Sequence, residues 1–534
     1  MPKTPQKASA QSAAASSATT PRPHFHGVLR GLDSTLESPM FEGRFGRMFR
    51  TLPAAKFFFE DLDALAAEMV AAPEEEPTPE TEIDAEESSV ISAGFTYLGQ
   101  FIDHDITFDP TSSLQRQNDP NALTNFRTPR FDLDNVYGRG PADQPYLYED
   151  DGRHFKLGRR LTGAERFDKN SRDLPRHKSE VNPDTGRARA LIGDPRNDEN
   201  VIVAQLHAVM LRFHNYMTDL LGESASFEEI QQQVRWHYQW VVLFDFLPTI
   251  VGWETIYSVL PHLKTKKSIQ DVRPDLRFYK WRHEPFIPVE FSVAAYRFGH
   301  SMVRPQYRLN TTLLTQGPEK DGRFSIFTPM DSEESLNGFR EFPSVWAIDW
   351  SLYFDMGNKP PKLGINRVQP AYKIDSSLVD PLGQLPATEA PGIPSLAKRN
   401  LLRGLRLGLP SGQDVARAMG IKPIPDNKLR VGKATEEDSP ENFPITDFGT
   451  SFKNKAPLWF YVLAEAQQAF KNDKTPLLLG PVGGRIVAEV FIGLLLGDSH
   501  SFLRQDPFWT PNPAFLNKDK NFGMAELIKQ AIKA

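Results

Sequence analysis

The stretch Gly99-Gln100-Phe101-Ile102-Asp103-His104-Asp105 places Gln100, Asp103 and His104 at the i, i+3, i+4 spacing of one helix face. Tyr97, Leu98, Phe101 and Ile102 surround them, so the segment reads as a helix whose polar side chains enter a largely buried setting. Unpaired polar groups are costly there. A histidine between two aspartates in such a place reads as a group that grips a ligand or moves a proton.

Working outward, apolar periodicity is helical. Val203, Leu206, Val209, Met210, Phe213 and Met217 share one face of a segment ending near Gly222. A helix over Phe227 to Leu247 is expected next, capped by Ser226 and stopped by Pro248. Further helices are expected at Val289 to Val303, Ser395 to Arg406, Ala456 to Phe470 and Gly483 to Leu496. Strand signals are few, chiefly Gln306 to Leu309, and neither an internal repeat nor a Gly-rich phosphate loop is present. The fold class is therefore mainly α, with long loops and very little β. Residues 1–26 read as a disordered tail, and 27–534 as a single large helical domain. The acidic run Glu74 to Glu87, within 71–88, reads as a mobile, solvated linker inside that domain.

Composition excludes several classes. The chain has 534 residues, 40% hydrophobic and 24% charged, with a formal charge of -6 and no basic footprint for nucleic acid. It has 0 cysteines, which removes disulfides, iron-sulfur clusters, thiolate haem ligation and zinc-thiolate sites. Its N-terminus lacks a signal-peptide core, and the most apolar run, Ile486 to Leu496, is too short to span a bilayer. A soluble protein is expected, in the cytoplasm or exported by a signal-independent route; sequence leaves compartment and oligomeric state open.

Three more segments carry polar pairs. Arg196 and Glu199 sit three apart at a helix start, where an acidic residue is also explained as a partner of the helix dipole. His300 lies beside Gly299, whose missing side chain lets a flat group approach the backbone. Asn400 and Arg403 share a helix face. A lone histidine on an apolar face is usually a satisfied core residue. Two histidines far apart in sequence, each with an arginine or carboxylate in register, suit a cofactor clamped between helices, one ligating and the other transferring protons.

Gly99 to Asp109 (GQFIDHDITFD), Arg127 to Gly138 (RTPRFDLDNVYG), Gly193 to Asn215, Ala294 to Val303 (AAYRFGHSMV) and Ala397 to Gln413 (AKRNLLRGLRLGLPSGQ) resemble successive signatures of the animal haem peroxidase family, within the peroxidase-cyclooxygenase superfamily. They occur in the family's order, with a flavour similar to the bacterial branch called peroxicins. The resemblance implies haem b, hydrogen peroxide as oxidant and a small reductant: bromide, iodide, thiocyanate or a phenolic donor. It implies His104 as the distal base, Arg196 as the distal arginine, and Gln100 as the group ordering water or anions. It implies His300 as the ligand to haem iron, Asn400 as that ligand's partner, and Arg297 and Arg403 as cations near the propionates. Asp103 and Glu199 match the carboxylates that esterify the haem in mammalian members. Asn200 stands where those members have the methionine of a sulfonium link, so that link is not expected and easy chloride oxidation is in doubt.

Thr128, the Arg130 carbonyl, Asp132 and Asp134 alternate as oxygen donors suited to Ca²⁺, with Asp105 the remaining carboxylate; capping aspartates in a turn are the bland alternative. His207 and His214 read as packing or surface groups. Two other functions stay open: a fatty-acid dioxygenase of the same superfamily, and a haem-binding relative without activity. Dioxygenases carry a radical-forming tyrosine three residues before the proximal histidine. Here that position is Arg297, and Tyr296 is expected to face elsewhere, which favours the peroxidase.

Overall fold

The computed structural model describes residues 43–73, 78–109, 123–181, 188–265, 268–317, 320–328, 335–386, 390, 392–470 and 477–534. The expected tail 1–26, and Glu74 to Glu76 of the acidic run, lie outside the described residues.

The main helices are α1 (Phe59–Glu68), α2 (Ala93–Ile106), α3 (Val201–Leu221), α4 (Phe227–Val241), α5 (Leu247–Val251), α6 (Leu396–Arg406), α7 (Leu458–Gln467), α8 (Pro481–Gly497) and α9 (Met524–Ala531). Strands are short. The widest sheet holds three, with Gly43–Gly46 between an antiparallel Thr124–Asn125 and a parallel Ile287–Pro288. Among the described residues the remaining sheets are two-stranded, for example Gln306–Arg308 with Arg323–Ser325.

The central helix is α3. Asn200 caps it, accepting from the backbone N–H groups of Ile202 (3.0 Å) and Val203 (2.9 Å). It is buried almost all round, from Val201 to Thr218, and packs against α2, α4 and α9. Ser226 forms the expected capping box with Glu229 at the start of α4. Pro248, however, does not stop the helical path. A π-turn at Val242–Phe246 separates α4 from α5, and the path continues through Pro248 to Val251. Widening to i→i+5 bonding places Pro248 at the second position of α5, where its missing N–H costs little. Expected helix 289–303 is also corrected. It breaks into a turn at Val289–Ser292 and a 3-10 helix at Ala295–His300. Arg297 Nε donates to the Ser292 carbonyl at 3.0 Å, satisfying an acceptor left by the break.

Buried carboxylates tie the long loops to this framework. Glu290 accepts from the N–H groups of Met48 and Phe49, Glu489 from those of Arg277, Phe278 and Tyr279, and Glu465 from Val482 and Gly483 at the start of α8. The later part of the acidic run behaves in the same way, which corrects its reading as a solvated linker. Glu80 and Glu87 are each 8% exposed and meet Arg304, Arg308 and Arg367 in a buried ion network, while Asp84 accepts from Tyr372. Charges leave water only when paired, and these partners lie more than 200 residues away.

Candidate functional site

One cavity of about 250 Å³ is lined by Gln100, Asp103, His104, Arg196 and Glu199 together with Arg297, His300, Asn400 and Arg403. Helix α2 supplies the first three. Its apolar face, with Tyr97, Leu98, Phe101 and Ile102, is buried in the core and aims Gln100 and Asp103 at the cavity. A 3-10 turn at Pro195–Asp198, just before α3, supplies Arg196. His300 ends the 3-10 helix Ala295–His300, and Asn400 and Arg403 come from α6.

His104 Nδ1 lies 2.8 Å from Asn197 Oδ1, and Asn197 Nδ2 lies 2.9 Å from His207 Nδ1. His207 is therefore no surface group: it is fully buried and part of this row. Sequence reading assigned Asn197 no role, because nothing local marks it. Burial, then the Arg196 guanidinium, lowers the His104 pKa and favours neutral imidazole. Arg196 is held by Asp194 at 2.7 Å, donates to the His104 carbonyl at 3.1 Å and stacks over Phe108 at 4.4 Å. Gln100 Nε2 donates to Glu199 at 3.1 Å, and Gln100 Oε1 accepts from Asn200 Nδ2 at 3.1 Å. Asp103 accepts from Thr107 Oγ1 at 2.8 Å.

On the other wall, Asn400 Nδ2 faces His300 Nδ1 at 2.8 Å and Arg297 Nη1 donates to Asn400 Oδ1 at 3.4 Å. As placed, Asn400 Nδ2 donates to a lone pair on His300 Nδ1, whereas a histidine that ligates through Nε2 carries its proton there; ligation therefore calls for the amide turned by half a turn, with its bond from Arg297 given up. Arg403 pairs with Asp109 at 3.4 Å. Burial, then repulsion from Arg403, pulls Arg297 down to about 10, so this wall favours an anionic group. A Cβ built on Gly299 meets nothing within 4 Å, which leaves a smooth floor beside His300. An imidazole, a clustered set of arginines and an open glycine surface fit a flat dianionic macrocycle such as haem. Tyr296, expected to face elsewhere, contributes to the cavity wall, with its hydroxyl donating to the Gly99 carbonyl at 3.1 Å.

Behind α2 lies a second cluster. Carboxylate oxygens of Asp105, Asp132 and Asp134 come within 4.8 Å of one another. Both Asp105 oxygens and Asp134 Oδ1 are buried without a partner of hydrogen-bonding geometry; the nearby Tyr238 hydroxyl only eases the Asp105 charge. Burial first, then the neighbouring carboxylates, raises the Asp105 pKa strongly, and burial is the main cause that pushes Asp134 up to about 8. Thr128 Oγ1 donates to Asp132 at 2.8 Å, while the Arg130 side chain turns outward toward Asp498. Three crowded carboxylates with three buried oxygens left without a hydrogen-bond partner fit a divalent cation held by oxygen donors. Arg127 joins the two clusters, paired with Asp194 at 2.6 Å and lying 3.6 Å from Asp134.

The family model described as animal haem peroxidase matches residues 112–426. Thyroid peroxidase of Canis lupus familiaris is 26% identical over 217 residues, 38% of this chain and 21% of that protein; a peroxidasin homologue of Caenorhabditis elegans is 28% identical over 229 residues, 39% and 16%. The match thus spans about a fifth of these relatives' length. Among solved structures, peroxidase A from Dictyostelium discoideum aligns with a TM-score of 0.56 at 16% identity, covering 92% of this chain and 93% of that one. Fatty acid alpha-dioxygenase of Arabidopsis thaliana aligns at 0.53 and 14% identity, covering 90% and 75%. At these identities the two structures speak for the fold alone.

Proposed function

The chain belongs to the animal haem peroxidase family, and from that premise we propose that it is an active peroxidase, using hydrogen peroxide to oxidise a small anion such as bromide, iodide or thiocyanate, or a phenolic donor. The observation that carries the reading is that His104 and His300, far apart in sequence, line one cavity, each with its Nδ1 2.8 Å from a side-chain amide.

When bound, haem supplies the redox-active iron at which peroxide is reduced. His300, backed by Asn400, would hold it, and Arg297 and Arg403 would take its carboxylates. His104 Nε2 accepts the proton of bound peroxide and returns it to the departing oxygen. Arg196, fixed by Asp194, presents positive charge where negative charge develops on that oxygen. Gln100, held between Glu199 and Asn200, orders water or the substrate anion. Asp103 and Glu199 are the candidate ester links to haem. Asp105, Thr128, the Arg130 carbonyl, Asp132 and Asp134 would hold Ca²⁺. The single-domain reading of 27–534 belongs to the same proposal, supported by a large apolar core with members from Phe45 to Ala531. Among the described residues no helix is long and apolar enough to cross a membrane.

Reconstitution of the full chain with haem tests the proposal. A Soret band lost in His300→Ala and retained in His104→Ala, with peroxide-dependent oxidation of guaiacol, bromide or thiocyanate lost in both, is the expected result. Tyr296 on the cavity wall and the alpha-dioxygenase fold neighbour motivate the second reading. Consumption of fatty acid and oxygen, without peroxide turnover of any of those donors, would establish it instead. Haem that stays on the denatured chain after turnover would show the ester links.

A further inference from the structure

We infer that Asn197 is a positioning residue for His104: its amide, keyed from behind by His207, holds the imidazole proton on Nδ1 and leaves Nε2 bare toward the cavity. Nε2 as the base that meets peroxide rests on the peroxidase reading above; the tautomer itself rests on geometry.

An amide oxygen only accepts and an amide nitrogen only donates. With the amide as it lies, Asn197 Oδ1, 2.8 Å from His104 Nδ1, calls for a proton on that nitrogen, and Asn197 Nδ2, 2.9 Å from His207 Nδ1, calls for a lone pair there. Asn197 is fully buried and does not line the cavity, whereas His104 does, so Nδ1 is turned away from the cavity and Nε2 is the nitrogen left for it. The backbone carrying Asn197 is clamped on both sides. Asp194 accepts the Arg196 N–H at 2.9 Å, and Asp198 takes two bonds from Arg176 at 2.7 and 2.8 Å. Burial holds His207 down to about 3, so it stays neutral and presents a lone pair to the amide. Its Nε2 has no protein partner, so the row ends in the core. Such a row orients a base and does not conduct protons to solvent. One short turn, Pro195–Asp198, thereby supplies both Arg196 and the support of His104.

Long-range ¹H–¹⁵N spectra of ¹⁵N-histidine-labelled full chain read the tautomer directly, with assignments from His104→Gln and His207→Gln. The expected result is His104 protonated on Nδ1 and His207 on Nε2. Asn197→Leu, similar in size but unable to accept, should convert His104 to a mixture. In the haem-loaded chain the same variant should slow the peroxide step about tenfold to a hundredfold, with KM for the reductant unchanged, and Asn197→Asp, which still accepts from Nδ1, should recover most of the rate. His104 protonated on Nε2 in the unsubstituted chain, or an Asn197→Leu chain that reacts with peroxide at the original rate, overturns the inference. Failure of the peroxidase reading is distinguishable: His104→Ala would then leave peroxide consumption intact, whatever the tautomer.

Discussion

Asn200 shows how one side chain changes meaning between sequence and structure. At first it is only the residue that precludes a sulfonium link. In the fold its Oδ1 caps α3 through two N–H groups while its Nδ2 holds Gln100. Asn200→Met should lose both, and urea unfolding should show a stability loss of about 1 kcal/mol, the usual worth of an N-cap. An unchanged midpoint would mean that another group caps α3. His104, Arg196, His300 and Asn400 were legible because each sits in a local pattern of charge and helix spacing. Asn197 and His207 were not. Their significance lies in what they touch across the fold, and an asparagine beside a helix start is locally unremarked.

At the scale of elements, the loop from Thr128 to Asp134 and helix α2 are locked together only if something balances Asp105, Asp132 and Asp134. If the cluster holds Ca²⁺, chelation should lower the unfolding temperature and added calcium restore it, and elemental analysis should find the metal; an unaltered transition in chelator would sink that assignment. Helix α8 gives a pH prediction. Glu465 accepts N–H groups at its start, and burial pushes this carboxyl from 4.5 up to about 7. A raised folded-state value means that the folded chain keeps a proton which the unfolded chain releases. The stabilisation is fully present below about pH 4.5 and is lost as pH rises toward 7, by about 3 kcal/mol as an order of magnitude. Glu465→Gln should flatten that slope in denaturation measured from pH 5 to 7.5. A parallel slope in both proteins would place the titration elsewhere. The break in the expected helix 289–303 and the π-turn before α5 were not legible, because both depend on interactions that period counting does not see: an arginine reaching back to a carbonyl, and a widened turn that admits Pro248.

At the scale of the molecule, the chain closes on itself through buried ionic ties and around the cavity. Arg367 contacts both Glu80 and Glu87, joining the acidic run to the segment near β-paired Pro370–Tyr372. Arg367→Met should cost about 3 kcal/mol in unfolding free energy, at the low end for a broken buried pair because Arg304 and Arg308 remain; a loss within error would show the network to be dispensable. Haem at a thousand times its dissociation constant should add about 4 kcal/mol to the stability of the whole chain, seen as a higher unfolding temperature, and His300→Ala should remove most of that gain. The sequence by itself determined the helical class, the family and the residues bearing local chemistry, because helix periodicity and short motifs act over a few residues. Only the tertiary structure decided that Glu80 and Glu87 are buried, that Tyr296 reaches the cavity and that Asn197 stands behind His104. Each of those depends on partners brought together from distant parts of the chain, and burial sets their energetics.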